Sequence, residues 1–141
     1  MADCAKFTEA RSTRALRFQL LERRDALANA LRSRVGAVLA GEVAGAADGE
    51  TAATALAEAA LAVDLAEIDQ ENAELEAVNA ALALMDSGRY GVCGDCGAAI
   101  GIQRLEANPA AQHCIACETI RERARTAHRR AGPFNAGPLA G

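Results

Sequence analysis

The chain has 141 residues, with no tryptophan, one tyrosine and three phenylalanines. So few large side chains exclude a thick globular core, because little area can be buried per residue. No run of eighteen apolar residues free of charge occurs, so no helix is expected to span a membrane. The opening MADCAKFTEARSTR lacks the apolar stretch of a signal peptide, and the cytoplasm is the expected location. Lysine and arginine are missing from residues 35–88, which hold eleven Asp/Glu. That gap excludes an even distribution of charge along the chain and leaves one long acidic segment.

What is present is alanine, which makes up much of the 51% apolar content. Alanine is the strongest helix former and a poor strand residue, so the bias predicts long helices in close contact. Residues 6–34 carry eight Lys/Arg against three Asp/Glu, so a basic helix precedes the acidic one and the two attract. A one-face stripe over 8–40 comprises Leu16, Leu20, Leu27, Leu31, Val35 and Val38. Residues 51–87 contain neither proline nor glycine, and Leu61, Leu65, Ile68, Leu75, Leu82 and Met85 recur there by three, four and seven. Asn72 shares that register, as a buried register-setting residue or as a solvated flank. Between the stripes, four of the fifteen residues from Gly36 to Glu50 are glycine. A reversal near Gly41–Gly49 follows, with Asp48 or Thr51 as N-cap of the second helix. The reading is mostly α: an antiparallel coiled-coil hairpin over 8–87 with its tip at about 41–50, and a cysteine-bearing module with a C-terminal helix over 88–130. Residues 131–141 have the composition of a flexible tail. At ~1.5 Å per residue the second helix makes a rod of roughly 55 Å.

Four of the five cysteines fall as Cys93/Cys96 and Cys114/Cys117, a C-x2-C-x17-C-x2-C pattern with the ligand spacing of a structural zinc site. Gly94 and Gly97 suit a tight knuckle. The second pair enters the last helix, whose positive end favours thiolate. Ile100, Ile102, Leu105 and Ile115 supply a small core, so the module is expected to need its metal to fold. Two disulfides, or a thioredoxin-like redox pair, would leave the absence of a βαβ pattern and the second pair unexplained. Four thiolates fill a tetrahedral ion, which argues against catalytic zinc and against an enzyme. His113 reads as a neighbour of the site, His128 as solvated and Cys4 as a free thiol.

The string LMDSGRYGVCGDCGAAIGIQRLEANPAAQHCIACETI resembles the signature of the DksA/TraR family of bacterial transcription factors. The shared elements are the G-x-Y-G-x-C-x-x-C-G entry, then Ile100, Arg104, Leu105, Ala107 and Pro109, and the C-I-x-C exit. The resemblance implies a regulator that binds bacterial RNA polymerase directly, without reading DNA sequence. It inserts its coiled-coil tip into the secondary channel to modulate initiation, often together with guanosine tetraphosphate (ppGpp). Asp48, Glu50, Ala53 and Ala55 are then the tip residues that contact the partner. The family's tip motif D-x-x-D-x-A corresponds here to Glu50, Ala53 and Ala55, so the second acid is lost. Responsive members place basic groups on the second helix and just after the last cysteine. Here the second helix has none and Glu118 follows Cys117, so ppGpp dependence is expected to be weak. The chain also begins almost at its first long helix, so it is expected to lack the longer N-terminal segment of full-length members.

Two other readings are weighed against this one. Arg121 to Arg130 would suit a nucleic-acid-binding zinc ribbon, but Tyr90 is the only aromatic in the finger for bases to stack on. A structural helical-hairpin adaptor with another partner is the third. Arginines of the first helix, such as Arg23, Arg32 and Arg34, face pairing with Asp64, Glu67, Glu71 and Glu74 of the second.

Overall fold

The computed structural model describes the backbone of residues 2–45 and 51–131 and the side chains of residues 12–41 and 54–131. Four helices follow in order: α1 (Ala2–Gly45), α2 (Thr51–Asp86), α3 (Ile102–Ala107) and α4 (Ile115–Ala131). α1 and α2 form the antiparallel hairpin, and at ~1.5 Å per residue the 36 residues of α2 extend about 54 Å. The expected mostly α architecture is what the chain adopts. Among the described residues the only sheet-like pairing is one antiparallel bridge, Val92 to Ala99.

α1 does not break at its glycines. It passes through Gly36 and Gly41 and runs to Gly45, beyond the 8–40 span read from the sequence. Neither glycine has a positive φ, and a Cβ added at either would meet nothing within 4 Å. The cost of roughly 1 kcal/mol per helical glycine does not interrupt a ladder whose other bonds are intact. α2 ends differently. Gly88 takes φ +71°, its N–H bonds the Met85 carbonyl at 3.2 Å, and the Arg89 N–H bonds the Leu84 carbonyl at 2.8 Å. These are the two hydrogen bonds of a Schellman cap, which requires a left-handed residue at that point.

The core sits at the base of the hairpin. Leu20, Leu27, Val78, Ala81 and Leu82 form one buried cluster. Leu16 joins the finger residues Cys93, Ile100, Leu105 and Ala111 in a second, and Met85 and Tyr90 pack against both. Truncating Leu20, which is 2% exposed, would cost about 2–5 kcal/mol. Farther along the arm the packing thins: Val35, Leu39 and Leu65 are exposed. The stripe read on α2 meets α1 at the base of the arm: Leu82 is buried with Leu20 and Leu27, and Leu75 and Met85 pack against that cluster, whereas Leu65 is exposed. Val78 and Ala81 complete the seam, and Glu74, Glu71 and Glu67 follow toward the tip. They put acids opposite arginines: Arg23 grips Glu74 through Nε at 2.6 Å and a second nitrogen at 2.8 Å. Arg34 reaches both Glu71, at 3.0 Å, and Glu67. Arg17 bonds Asp86 at 2.8 Å near the base. These groups are partly exposed, so each pair contributes only ~0–1 kcal/mol, and their clearer effect is to fix register. Leu61 and Ile68 are half-buried, and Leu65 is exposed. Asn72 is exposed rather than buried in the seam.

Replacing Gly36 or Gly41 by alanine adds helix propensity in open space, and each change should stabilise the arm by about 0.5–1 kcal/mol. Gly88→Ala forces a Cβ into a left-handed residue and should destabilise by ~1 kcal/mol. Thermal unfolding followed by circular dichroism should show the two groups shifting in opposite directions.

Candidate metal centre

The finger is built as two knuckles held against each other. In the first, Cys93 donates its backbone N–H to the Ala98 carbonyl at 2.8 Å, and the Gly97 N–H returns to the Cys93 carbonyl at 3.0 Å. Gly97 has φ +72°, which lets the chain turn this tightly. Gly94 plays a different part from the one expected: its N–H bonds the Gln112 carbonyl at 3.0 Å and ties the first knuckle to the second. The second knuckle runs into α4, where the Glu118 N–H bonds the Cys114 carbonyl at 2.9 Å. α3, not anticipated from the sequence, spans the gap and buries Leu105. Ile100 and Leu105 are buried as expected. Ile102 and Ile115 are exposed, and the finger core is completed by Leu16 of α1 instead.

The sulfurs of Cys93, Cys96, Cys114 and Cys117 all lie within 4.8 Å of one another. Cys96 and Cys114 Sγ are 3.8 Å apart, close to the edge of a tetrahedron with metal–sulfur distances of about 2.3 Å. Cys93 is 2% exposed. Backbone N–H groups of Cys96, Cys114 and Asp95 point at its sulfur and draw its pKa down to about 6. Cys117 is pushed the other way, chiefly by hydrogen bonds to Cys114 and Cys96, so in the free thiol cluster it keeps its proton. At Cys117 the neighbouring thiols thus outweigh the helix end that was expected to favour thiolate. The donor set is all sulfur, tetrahedral in reach and without a carboxylate or imidazole member, which fits a closed structural zinc site. These four thiols would hold the ion.

Around them lies a set of contacts that the spacing did not reveal. His113 faces Asp95 at 3.7 Å and Glu118 at 3.5 Å, and so bridges the two knuckles rather than joining the sulfurs. Arg121 of α4 lies 3.3 Å from Asp95, and Arg125 lies 3.5 Å from Glu118. Arg104 donates from Nε to the His113 carbonyl at 2.9 Å. Tyr90 donates its hydroxyl to the Pro109 carbonyl at 2.7 Å, and its burial raises the phenol pKa to about 12. Tyr90, Arg104 and Pro109 were visible as motif letters, but only folding shows that they clamp the finger to itself. Of the tip residues, Asp48 and Glu50 lie outside the described residues. Ala53 falls in the first turn of α2 with its side chain outside them, and Ala55 is exposed. The tail read at 131–141 lies outside them from residue 132 onward.

Residues 88–123 match the family model of the prokaryotic dksA/traR C4-type zinc finger. The resemblance to the DksA/TraR family is thus real, and this segment belongs to that class of finger, with zinc as its structural metal. The protein named RNA polymerase-binding transcription factor DksA of Haemophilus influenzae is 40% identical over 60 residues, 43% of this chain and 41% of the relative. Its namesake in Escherichia coli K12 is 37% identical over 60 residues, 43% of this chain and 40% of the relative. The matched segment therefore spans about two fifths of these curated relatives. The structure of transcription factor DksA2 from Pseudomonas aeruginosa superposes with a TM-score of 0.69 at 24% identity, covering 86% of this chain and 92% of that one. The likeness extends over hairpin and finger and concerns the fold. No helix among the described residues is long and apolar enough to cross a membrane.

Zinc binding requires four thiolates. Cys93 is largely ionised at neutral pH and releases little, whereas Cys117 must give up a whole proton. Zinc uptake by the metal-free protein should therefore release fewer than four protons at pH 7. Apparent affinity should fall at least tenfold between pH 8 and pH 6. Calorimetry in buffers of different ionisation enthalpy counts the protons. Separately, Tyr90→Phe leaves the Pro109 carbonyl without its partner and should lower stability by about 1 kcal/mol, measured by denaturant unfolding of the zinc-loaded protein.

Proposed function

We propose that this chain is a non-enzymatic transcription regulator that binds bacterial RNA polymerase through its arm. The arm enters the secondary channel, the finger stays at the rim, and the tip residues Asp48, Glu50, Ala53 and Ala55 approach the catalytic centre. One observation carries the reading: a dksA/traR-type finger is docked by a shared apolar cluster onto the base of a slender hairpin about 54 Å long. The curated relatives with this finger are named for polymerase binding. A narrow, alanine-rich rod suits a pore. Carboxylates at the tip suit a catalytic cation or basic polymerase residues.

The tip has one acid where the family motif has two, which points to polymerase binding with a reduced effect on initiation. The surface between α2 and the finger is lined by Ala73, Glu76, Ala77, Glu118 and Glu122, together with Arg104, Arg121 and Arg125. Those arginines are already engaged by the His113 carbonyl, Asp95 and Glu118. A tetraphosphate would meet three carboxylates and no uncommitted cation along this surface, so we infer weak ppGpp dependence.

Immobilised bacterial polymerase should retain the wild-type chain and the Glu50→Ala and Asp48→Ala variants, but not Cys114→Ser. In run-off transcription, Glu50→Ala should lose most of the effect of wild type. Saturating ppGpp should change that effect by less than about twofold. Wild-type behaviour of both tip variants while binding persists would contradict the tip chemistry. Binding to free DNA with steep salt dependence and no polymerase capture would favour the nucleic-acid ribbon instead.

A further inference from the structure

The four sulfur-bearing residues are not equally covered. Cys93 is buried, Cys114 and Cys117 are half-buried, and Cys96 is exposed. Cys96 belongs to the first knuckle, so that knuckle is the side on which the thiol cluster meets solvent. Among the described residues, one backbone hydrogen bond ties it to the second knuckle, from the Gly94 N–H to the Gln112 carbonyl. The other ties run through Asp95, the residue next to Cys96. Its carboxylate lies 3.3 Å from Arg121 of α4 and 3.7 Å from Nε2 of His113. Through Nδ1, His113 lies 3.5 Å from Glu118, which Arg125 approaches at 3.5 Å. The imidazole sits close over the first knuckle: a Cβ added at Gly94 would be 3.8 Å from Nε2. Arg104 holds the His113 carbonyl from behind at 2.9 Å.

The charges give this arrangement a purpose. A divalent ion among four thiolates is a dianionic group, and carboxylates set beside it repel it. Asp95 and Glu118 would weaken such a site if they acted only as charges. Each is instead matched by a cation of α4. We propose that Asp95, His113 and Arg121 are positioning residues that keep the first knuckle closed over the sulfurs, and so set the rate at which the protein gives up its zinc. Contacts of 3.3–3.7 Å are long for hydrogen bonds, so they act as charge contacts without strict direction. Partly exposed pairs of this kind add little to global stability. Local opening is another matter. Lifting Cys96 from the other three cysteines carries Asp95 away from Arg121 and His113 together, while the rest of the fold stays in place. Neither Asp95 nor His113 is a letter of the cysteine pattern: one fills an open position of C-x2-C and the other precedes Cys114. The inference concerns the finger alone and is independent of polymerase.

Zinc transfer from the full, zinc-loaded chain to pyridylazoresorcinol, read as the rate that no longer depends on chelator concentration, tests it. Asp95→Asn keeps the side chain's shape and removes its charge, and should speed transfer by about three- to tenfold at ~0.1 M salt. Arg121→Gln should speed it less, and the double variant should be no faster than Asp95→Asn, because both changes remove one contact. Asp95→Arg combined with Arg121→Asp should restore most of the wild-type rate. Raising salt to ~1 M should speed the wild type and leave Asp95→Asn nearly unchanged. Hydrogen exchange at the Gly94 amide should rise with transfer. The sulfur-to-metal absorption of the cobalt-substituted protein should be the same in wild type and variants. Slower transfer from Asp95→Asn overturns the proposal, since the carboxylate would then act only by repelling thiolates. Equal rates in all variants, or a changed cobalt spectrum in Asp95→Asn, overturn it as well.

Discussion

The structure depends on one constraint: Cys93 must serve two clusters at once. Its sulfur belongs to the four-thiol group, and its body is packed beside Leu16, Ile100, Leu105 and Ala111. The finger has too few large side chains to hold itself together, and its apolar contacts are made against the hairpin. Fixing the sulfurs therefore also fixes the angle at which the arm leaves the finger. Without an ion to hold the four cysteines, the cluster loses its centre, and the Tyr90 and Arg104 hydrogen bonds lose the geometry that makes them.

The arm obeys a different logic. Its base is packed, while its outer half is aligned by arginine–carboxylate pairs of low individual worth. A rod of this kind keeps its register without a thick core and stays narrow. The same economy leaves a side of it uncovered. Alanine allows close approach of α1 and α2, and in the outer half Val35, Leu39 and Leu65 remain exposed.

The sequence made the fold class legible because the strongest signals were local. Cysteine spacing identified the thiol cluster, and the alternation of three and four identified two helices. The errors came where local spacing could not choose between neighbouring faces. Leu75, Leu82 and Met85 of the α2 stripe pack at the base as read, but Leu65 is exposed, and farther out Glu67, Glu71 and Glu74 meet Arg23 and Arg34. Of the two positions open to Asn72, it takes the exposed one. The glycine-rich stretch placed the reversal near Gly41–Gly49, and α1 runs on to Gly45 before α2 begins at Thr51, because a penalty of ~1 kcal/mol per glycine is small against a continuous ladder. Contacts of the finger such as His113 with Asp95 and Glu118 depend on how two knuckles face each other, which no single segment encodes.

The central claim is that four sulfurs around one ion organise the finger and hold it to the arm. X-ray absorption at the zinc edge of the purified, folded protein tests it most directly. The account predicts a single shell of four sulfurs at about 2.3 Å. A shell containing nitrogen from His113, or folded protein with no zinc and two disulfides, would contradict it.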